Sequence, residues 1–92
     1  MNETLCQAIR GRRRIRFSYH GRPRLVEPQC HGHNAKHNEL LRGYQLEGGE
    51  APEPLYRVDE IRELVVLDET FDRPGPHYRK NDSAMTVIYC QL

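Results

Sequence analysis

The sequence predicts a mainly β fold, in which one short helix is followed by five or six short strands forming a small antiparallel sheet or a partly open barrel. Three observations carry that expectation. The one helical periodicity lies at the start of the chain, the runs after it alternate apolar with polar residues, and clusters of Gly, Pro, Asn and His separate those runs at regular spacing. With 92 residues the chain supplies one core and not two, so residues 1–92 are read as a single domain.

Each element has its own reason. Asn2 or Thr4 can cap a helix over about residues 3–10, where Leu5, Ala8 and Ile9 form one apolar stripe that Gly11 ends. Residues 13–19 alternate, placing Ile15, Phe17 and Tyr19 on one face and Arg14, Arg16 and Ser18 on the other. His20-Gly21-Arg22-Pro23 is a tight turn, and residues 24–28 return as a strand that Pro28 ends or places at an edge. Residues 31–38 are polar and turn-rich and predict a loop. Glu39 to Leu46 is an apolar strand whose Gly43 marks a bulge or a close backbone approach. Residues 47–54 form a linker-like loop, and residues 55–59 and 61–67 two further strands or one bent one. Barrel strands are thus expected across about residues 13–67. Asp68 to Asp82, with Pro74-Gly75-Pro76, is an irregular arm, and the β-branched run 84–90 is a last strand.

Composition removes several classes of function. An apolar fraction of 37% argues against disorder throughout, and no run approaches the length of a membrane span. The start has no hydrophobic segment with a cleavage site, so a cytoplasmic protein with no membrane partner is expected. Cys6, Cys30 and Cys90 are odd in number and far apart, which predicts reduced thiols. The net charge of +1 hides an asymmetry: residues 1–28 hold seven arginines against Glu3 and Glu27, and the remainder carries a net charge of −4. Arg12, Arg14 and Arg16, with Arg22 and Arg24 on the facing strand, are the candidate phosphate or nucleic-acid contacts. The same arginines can instead cover apolar surface and pair with the later acids.

Chemistry of its own has little basis in the residues. Ser18 and Ser83 lack a nucleophile elbow, Gly48-Gly49 lacks a phosphate-loop pattern, and the carboxylates are scattered, so no catalytic residue, enzyme activity or cofactor is expected. Cys30, His31, His33 and His37 are metal-like in type but lack a paired distant half, and no metal site is assigned to them.

Three ordered segments carry a resemblance. Leu5-Cys6-Gln7-Ala8-Ile9-Arg10 leads into Arg14-Ile15-Arg16-Phe17-Ser18-Tyr19; Arg24-Leu25-Val26-Glu27-Pro28 follows; then Leu41-Arg42-Gly43-Tyr44 precedes Leu55-Tyr56-Arg57-Val58-Asp59-Glu60-Ile61. Together with Phe71 and the Pro-rich arm, the set resembles the WYL domain of bacterial transcription regulators and phage-defence accessory proteins, over roughly residues 4–82. The resemblance implies an Sm-like, SH3-type β-barrel behind a short helix. It also implies a small regulatory ligand, nucleotide-like or a short nucleic acid, with Tyr19, Arg42, Tyr44 and Arg57 at ligand-binding positions.

The departures are equally specific. Glu39-Leu40-Leu41 stands where the family has Trp-Tyr-Leu, and Glu60 replaces a family arginine. No helix-turn-helix is present, so a partner protein supplying a DNA-binding domain is expected. An alternative from another class is a structural or oligomerisation module with a degenerate pocket, whose edge would be the run Met85 to Cys90.

Overall fold

The computed structural model describes all 92 residues. Helix α1 spans Glu3–Arg10, with the Asn2 side chain accepting a hydrogen bond from the Leu5 amide at 3.0 Å. That bond satisfies one of the four donors a helix start leaves free. Leu5, Cys6, Ala8 and Ile9 are buried on one face, and the first residue in left-handed backbone is Arg12 (φ 51°) rather than Gly11.

The strands are β1 (Arg13–Tyr19), β2 (Arg22–His33), β3 (Glu39–Glu47), β4 (Leu55–Arg57), β5 (Ile61–Thr70) and β6 (Val87–Gln91), with a single 3-10 turn at Val58–Glu60. They form one six-stranded antiparallel sheet in the order β4-β3-β2-β1-β5, and β6 pairs with β2. The two ends of that order, β4 and β5, are not paired, so the sheet is open. His20 and Gly21, at φ 51° and 75°, make the two-residue turn that joins β1 to β2 with the twist a hairpin needs.

Several boundaries differ from the sequence expectation, each for a reason of pairing. The loop expected at 31–38 is confined to residues 34–38, because β3 and β6 hold Cys30 to His33 extended from both sides. Pro28 does not end its strand. On one edge of β2 the ladder to β1 ends at Val26 and the ladder to β6 begins at Cys30, and on the other the register shifts between Pro28 and Cys30, so no partner waits for the missing N–H. The strand expected at 55–59 ends at Arg57 in the 3-10 turn, β5 continues through Thr70 into the expected arm, and the last strand starts at Val87. Gly43 is a close approach as expected: a Cβ there would lie 2.3 Å from Val26 Cγ1.

The core lies between the helix and one face of the sheet. Ile15 and Phe17 of β1, Val26, Leu41 and Tyr56 meet Leu5, Ala8 and Ile9 of the helix. Phe17 and Tyr19 both meet the Tyr56 ring edge-on, at 5.0 and 4.9 Å between centroids. Burying Leu5 and Ile9 fully contributes about 1.5–3 kcal/mol each.

The expectation of three reduced thiols is corrected. Cys6 on the helix and Cys90 on β6 are joined as a disulfide, with Cα atoms 5.7 Å apart at a sequence separation of 84. Distance along the chain said nothing about distance across the core, where the helix and β6 are neighbours. Cys30 is the one free thiol, buried beside Met85 and pushed up to about 11 by burial and by the Asp82 charge.

Candidate ligand-binding cleft

Alternation along β3 decides what the site is made of. Leu41 points into the core, so Arg42 and Tyr44 lie on the opposite face, and the segment after β5 crosses that face. A polar scaffold pins the segment down. Gln29, fully buried on β2, donates from Nε2 to Glu53 Oε1 at 3.0 Å and accepts the Gly75 amide at 2.6 Å. Glu53 Oε2 accepts the His77 amide at 2.7 Å, and Gly75 sits so tightly on the Tyr44 ring that a Cβ there would lie 2.8 Å from it.

Arg42 fixes the far end of the segment. Its Nε donates to Asp82 Oδ2 at 2.8 Å, its Nη2 to Asp82 Oδ1 at 3.4 Å, and its Nη1 to the Glu53 carbonyl at 3.1 Å. Burial alone would raise the Asp82 carboxyl; the bonds from Arg42 and the Ala84 amide, with the arginine's charge, outweigh it and hold the group below its ordinary value. Between arm and sheet lies a cleft of about 220 Å³, walled by Arg42, Glu53, Tyr78 and Asp82, with exposed His77, Arg79 and Ser83 at its mouth. Both wall carboxylates are occupied by bonds within the protein. No hydrogen bond engages the Arg79 guanidinium, the His77 ring or the Ser83 hydroxyl, so the cleft presents uncommitted donors suited to an anionic oxygen.

The four ligand positions implied by the resemblance fall in two places. Arg42 and Tyr44 lie under the arm. Tyr19 and Arg57 meet at the open side of the sheet, where the Arg57 amide donates to the Tyr19 hydroxyl at 3.0 Å. The Tyr19 ring stacks on His20 at 4.2 Å and carries the Arg24 guanidinium 5.5 Å from its centroid. Arg57 is paired with Asp59 through Nε (3.2 Å) and Nη2 (2.8 Å), and Glu60 stands 3.5 Å away. The sequence expected Arg57 and Asp59 to share a strand face; the 3-10 turn brings them together instead. Hydrogen bonding to Asp59, together with its charge, raises the Arg57 pKa further.

The expected basic surface is largely paired internally. Arg14 reaches Glu27 at 2.9 Å and Glu69 at 3.2 Å, bonds that raise its pKa, and Arg16 stands 3.7 Å from Glu47. Arg12 donates to the Asp72 carbonyl, and Arg24 to Gln45 Oε1 and the Tyr19 carbonyl, both at 3.1 Å. Arg22, at the exposed start of β2, has no such partner.

In the histidine run, the Cys30 thiol donates to Met85 Sδ at 3.6 Å, and both His31 ring nitrogens are engaged by backbone, with Leu40 O and the Asn2 amide. His33 and His37 stand with ring centroids 5.0 Å apart. Sequence reasoning missed Gln29, Glu53, His77, Arg79 and Ser83 as parts of one site. Pro74-Gly75-Pro76 marks an irregular segment, but no residue in it signals which sheet face it crosses. No family model, curated protein or solved structure matches the chain.

Proposed function

We propose that the chain is a non-enzymatic ligand-sensing module that takes a nucleotide-like ligand or short nucleic acid through the arm cleft, serving transcription regulation or phage defence with a DNA-binding partner. The observation that carries this reading is the set of uncommitted donors, Arg79, His77 and Ser83, at the mouth of a cleft braced by Arg42. At about 220 Å³ the cleft suits a phosphate with part of its sugar rather than a whole drug-sized ligand. The finer fold reading is a small SH3-type barrel. Supporting it are the order β5-β1-β2-β3-β4, the 3-10 turn between β4 and β5, and the Tyr19 hydroxyl bridging from the end of β1 to β4 across the open side.

Calorimetric titration with mononucleotides, cyclic dinucleotides and short single strands, at low and moderate salt, tests the proposal. Arg79→Ala is expected to weaken binding at least tenfold and to reduce its salt dependence. Absence of any binding at low salt refutes the ligand reading, and binding unchanged by Arg57→Ala refutes a site at the Tyr19 end. Cytoplasmic placement belongs to the same reading, although persistent disulfides are rare in that compartment. Thiol counting on protein alkylated at lysis decides between the two.

A second reading, an interaction or oligomerisation module, is favoured by the internal pairing of Arg14 and Arg16 and by the unpaired outer edge of β5, where Val65 is 52% exposed. The run expected to supply that edge, Met85 to Cys90, is engaged on one side, where β6 pairs with β2, and no strand pairs with its other side. Light scattering on the full chain and on Val65→Lys distinguishes this reading: a monomer in both refutes it.

A further inference from the structure

The arm that forms the cleft is fastened to β6 just beyond Cys90. Asn81 and Gln91 exchange two hydrogen bonds, Asn81 N–H to Gln91 Oε1 at 2.8 Å and Gln91 Nε2 to Asn81 Oδ1 at 3.0 Å. The Tyr78 hydroxyl donates to the Leu92 carbonyl at 2.7 Å, and the Leu92 amide to the Gln29 carbonyl at 3.0 Å. Strand β6 itself has one strand neighbour, a short ladder to β2 running from Cys30↔Gln91 to His33↔Val87. Its other attachment is helix α1, through Cys6. The arm side of the cleft is therefore held from the sheet through His77 and Asp82 and, at Tyr78 and Asn81, by a strand whose second support is the disulfide.

We propose that the Cys6–Cys90 bond is a redox latch on the arm cleft, a regulation that rests on the cleft being the ligand site. With the bond closed, β6 holds Tyr78 and Asn81 and the donors at the mouth stay in place. With the bond open, β6 and the segment from His77 to Ser83 loosen together and ligand affinity falls. The reductant is a dithiol. Its thiolate attacks the sulfur of Cys90, the less deeply buried residue of the two, forming a mixed disulfide and releasing Cys6 as a thiolate that takes a proton. The reductant's second thiol then closes its own disulfide and releases Cys90 as a thiol, so one disulfide is reduced to two thiols and one dithiol is oxidised. Cys30 takes no part, being buried against Met85.

Backbone amide relaxation on the full chain, oxidised and with dithiothreitol, tests the latch. Order parameters of residues 77–83 are expected to fall from about 0.85 to below about 0.6 on reduction, while β2 and β3 keep theirs. Cys6→Ala/Cys90→Ala should match the reduced protein with or without reductant, and Gln91→Ala should loosen the arm with the bond intact. An equally ordered arm in both redox states overturns the latch. So does outright unfolding on reduction, which would make the bond a staple for the whole fold, and an unchanged arm in Gln91→Ala overturns the route through β6. Mononucleotide affinity should drop at least tenfold on reduction. No mononucleotide binding in either form, with the arm still responding, refutes the ligand reading and leaves the latch standing.

Discussion

His31→Phe removes a side chain that works from both ring nitrogens. Nδ1–H donates to the Leu40 carbonyl at 2.8 Å, and Nε2 accepts the Asn2 amide at 3.0 Å in a fully buried position. A backbone amide can only donate, so Nε2 is unprotonated and the ring is neutral. Phenylalanine fills a comparable volume but satisfies neither group; the buried Leu40 carbonyl costs about 1–3 kcal/mol and the part-buried Asn2 amide about 1 kcal/mol, so a loss of about 2–4 kcal/mol is expected. In a domain of this size that corresponds to a fall in Tm of about 10–25 °C.

Burial lowers the His31 pKa; the Leu40 bond and the Glu39 carboxylate, 3.7 Å from Nε2, oppose the shift without reversing it. The unfolded histidine takes its proton near pH ~6.5 and the folded one only at lower pH. This part of the stability is therefore present above ~6.5 and lost as pH falls through the folded value. Urea unfolding of wild type and variant between about pH 7.5 and 5 reads both effects, and the variant should show the shallower pH dependence. A cost below about 1 kcal/mol, or parallel pH curves, would refute the reasoning.

Asp82→Asn should cost about 1–3 kcal/mol by urea unfolding, because it leaves Arg42 facing a neutral amide in a partly buried site. In the wild type that contribution is present above the unfolded carboxyl value near ~3.9 and is lost as pH falls through the lower folded one. Closing a loop with a sequence separation of 84 removes enough unfolded-chain entropy that reduction should lower stability by about 4–5 kcal/mol, seen as a lower urea midpoint in dithiothreitol. Gly32→Ala should detach β6, since its Cβ would lie 2.1 Å from the Val87 carbonyl oxygen, and loss of the β2–β6 amide protection checks it. Gly43→Ala meets a movable methyl of Val26 instead, and should cost about 1–3 kcal/mol with β6 in place.

Local rules were enough for some elements and not for others. The helix with its Asn2 cap and the alternation of β1 are written in neighbouring residues and stand where the sequence placed them, and the turn expected at 20–23 tightens to His20-Gly21, with Arg22 and Pro23 already in β2. Pro28 and the run from Cys30 to His33 were misread because their conformation is set by strands distant in sequence, β3 and β6. The cleft was half legible. The period of two puts Arg42 and Tyr44 on one face, but the partners that give that face its chemistry come from Gln29, Glu53 and residues 75–82, which meet only after the arm folds across it. The cysteine pairing was unreadable for the same reason.

That pairing also turns most of the polypeptide into a ring. Backbone from residue 6 to residue 90 and the sulfur bridge form one closed covalent circuit, leaving a few residues outside it at either end. A force applied at residues 1 and 92 of the oxidised chain would straighten those tails and then load the bridge, while the six strands inside the circuit carried almost none of it. Mechanically, the folded sheet is sheltered by a covalent bond whose two residues belong to the helix and to the last strand.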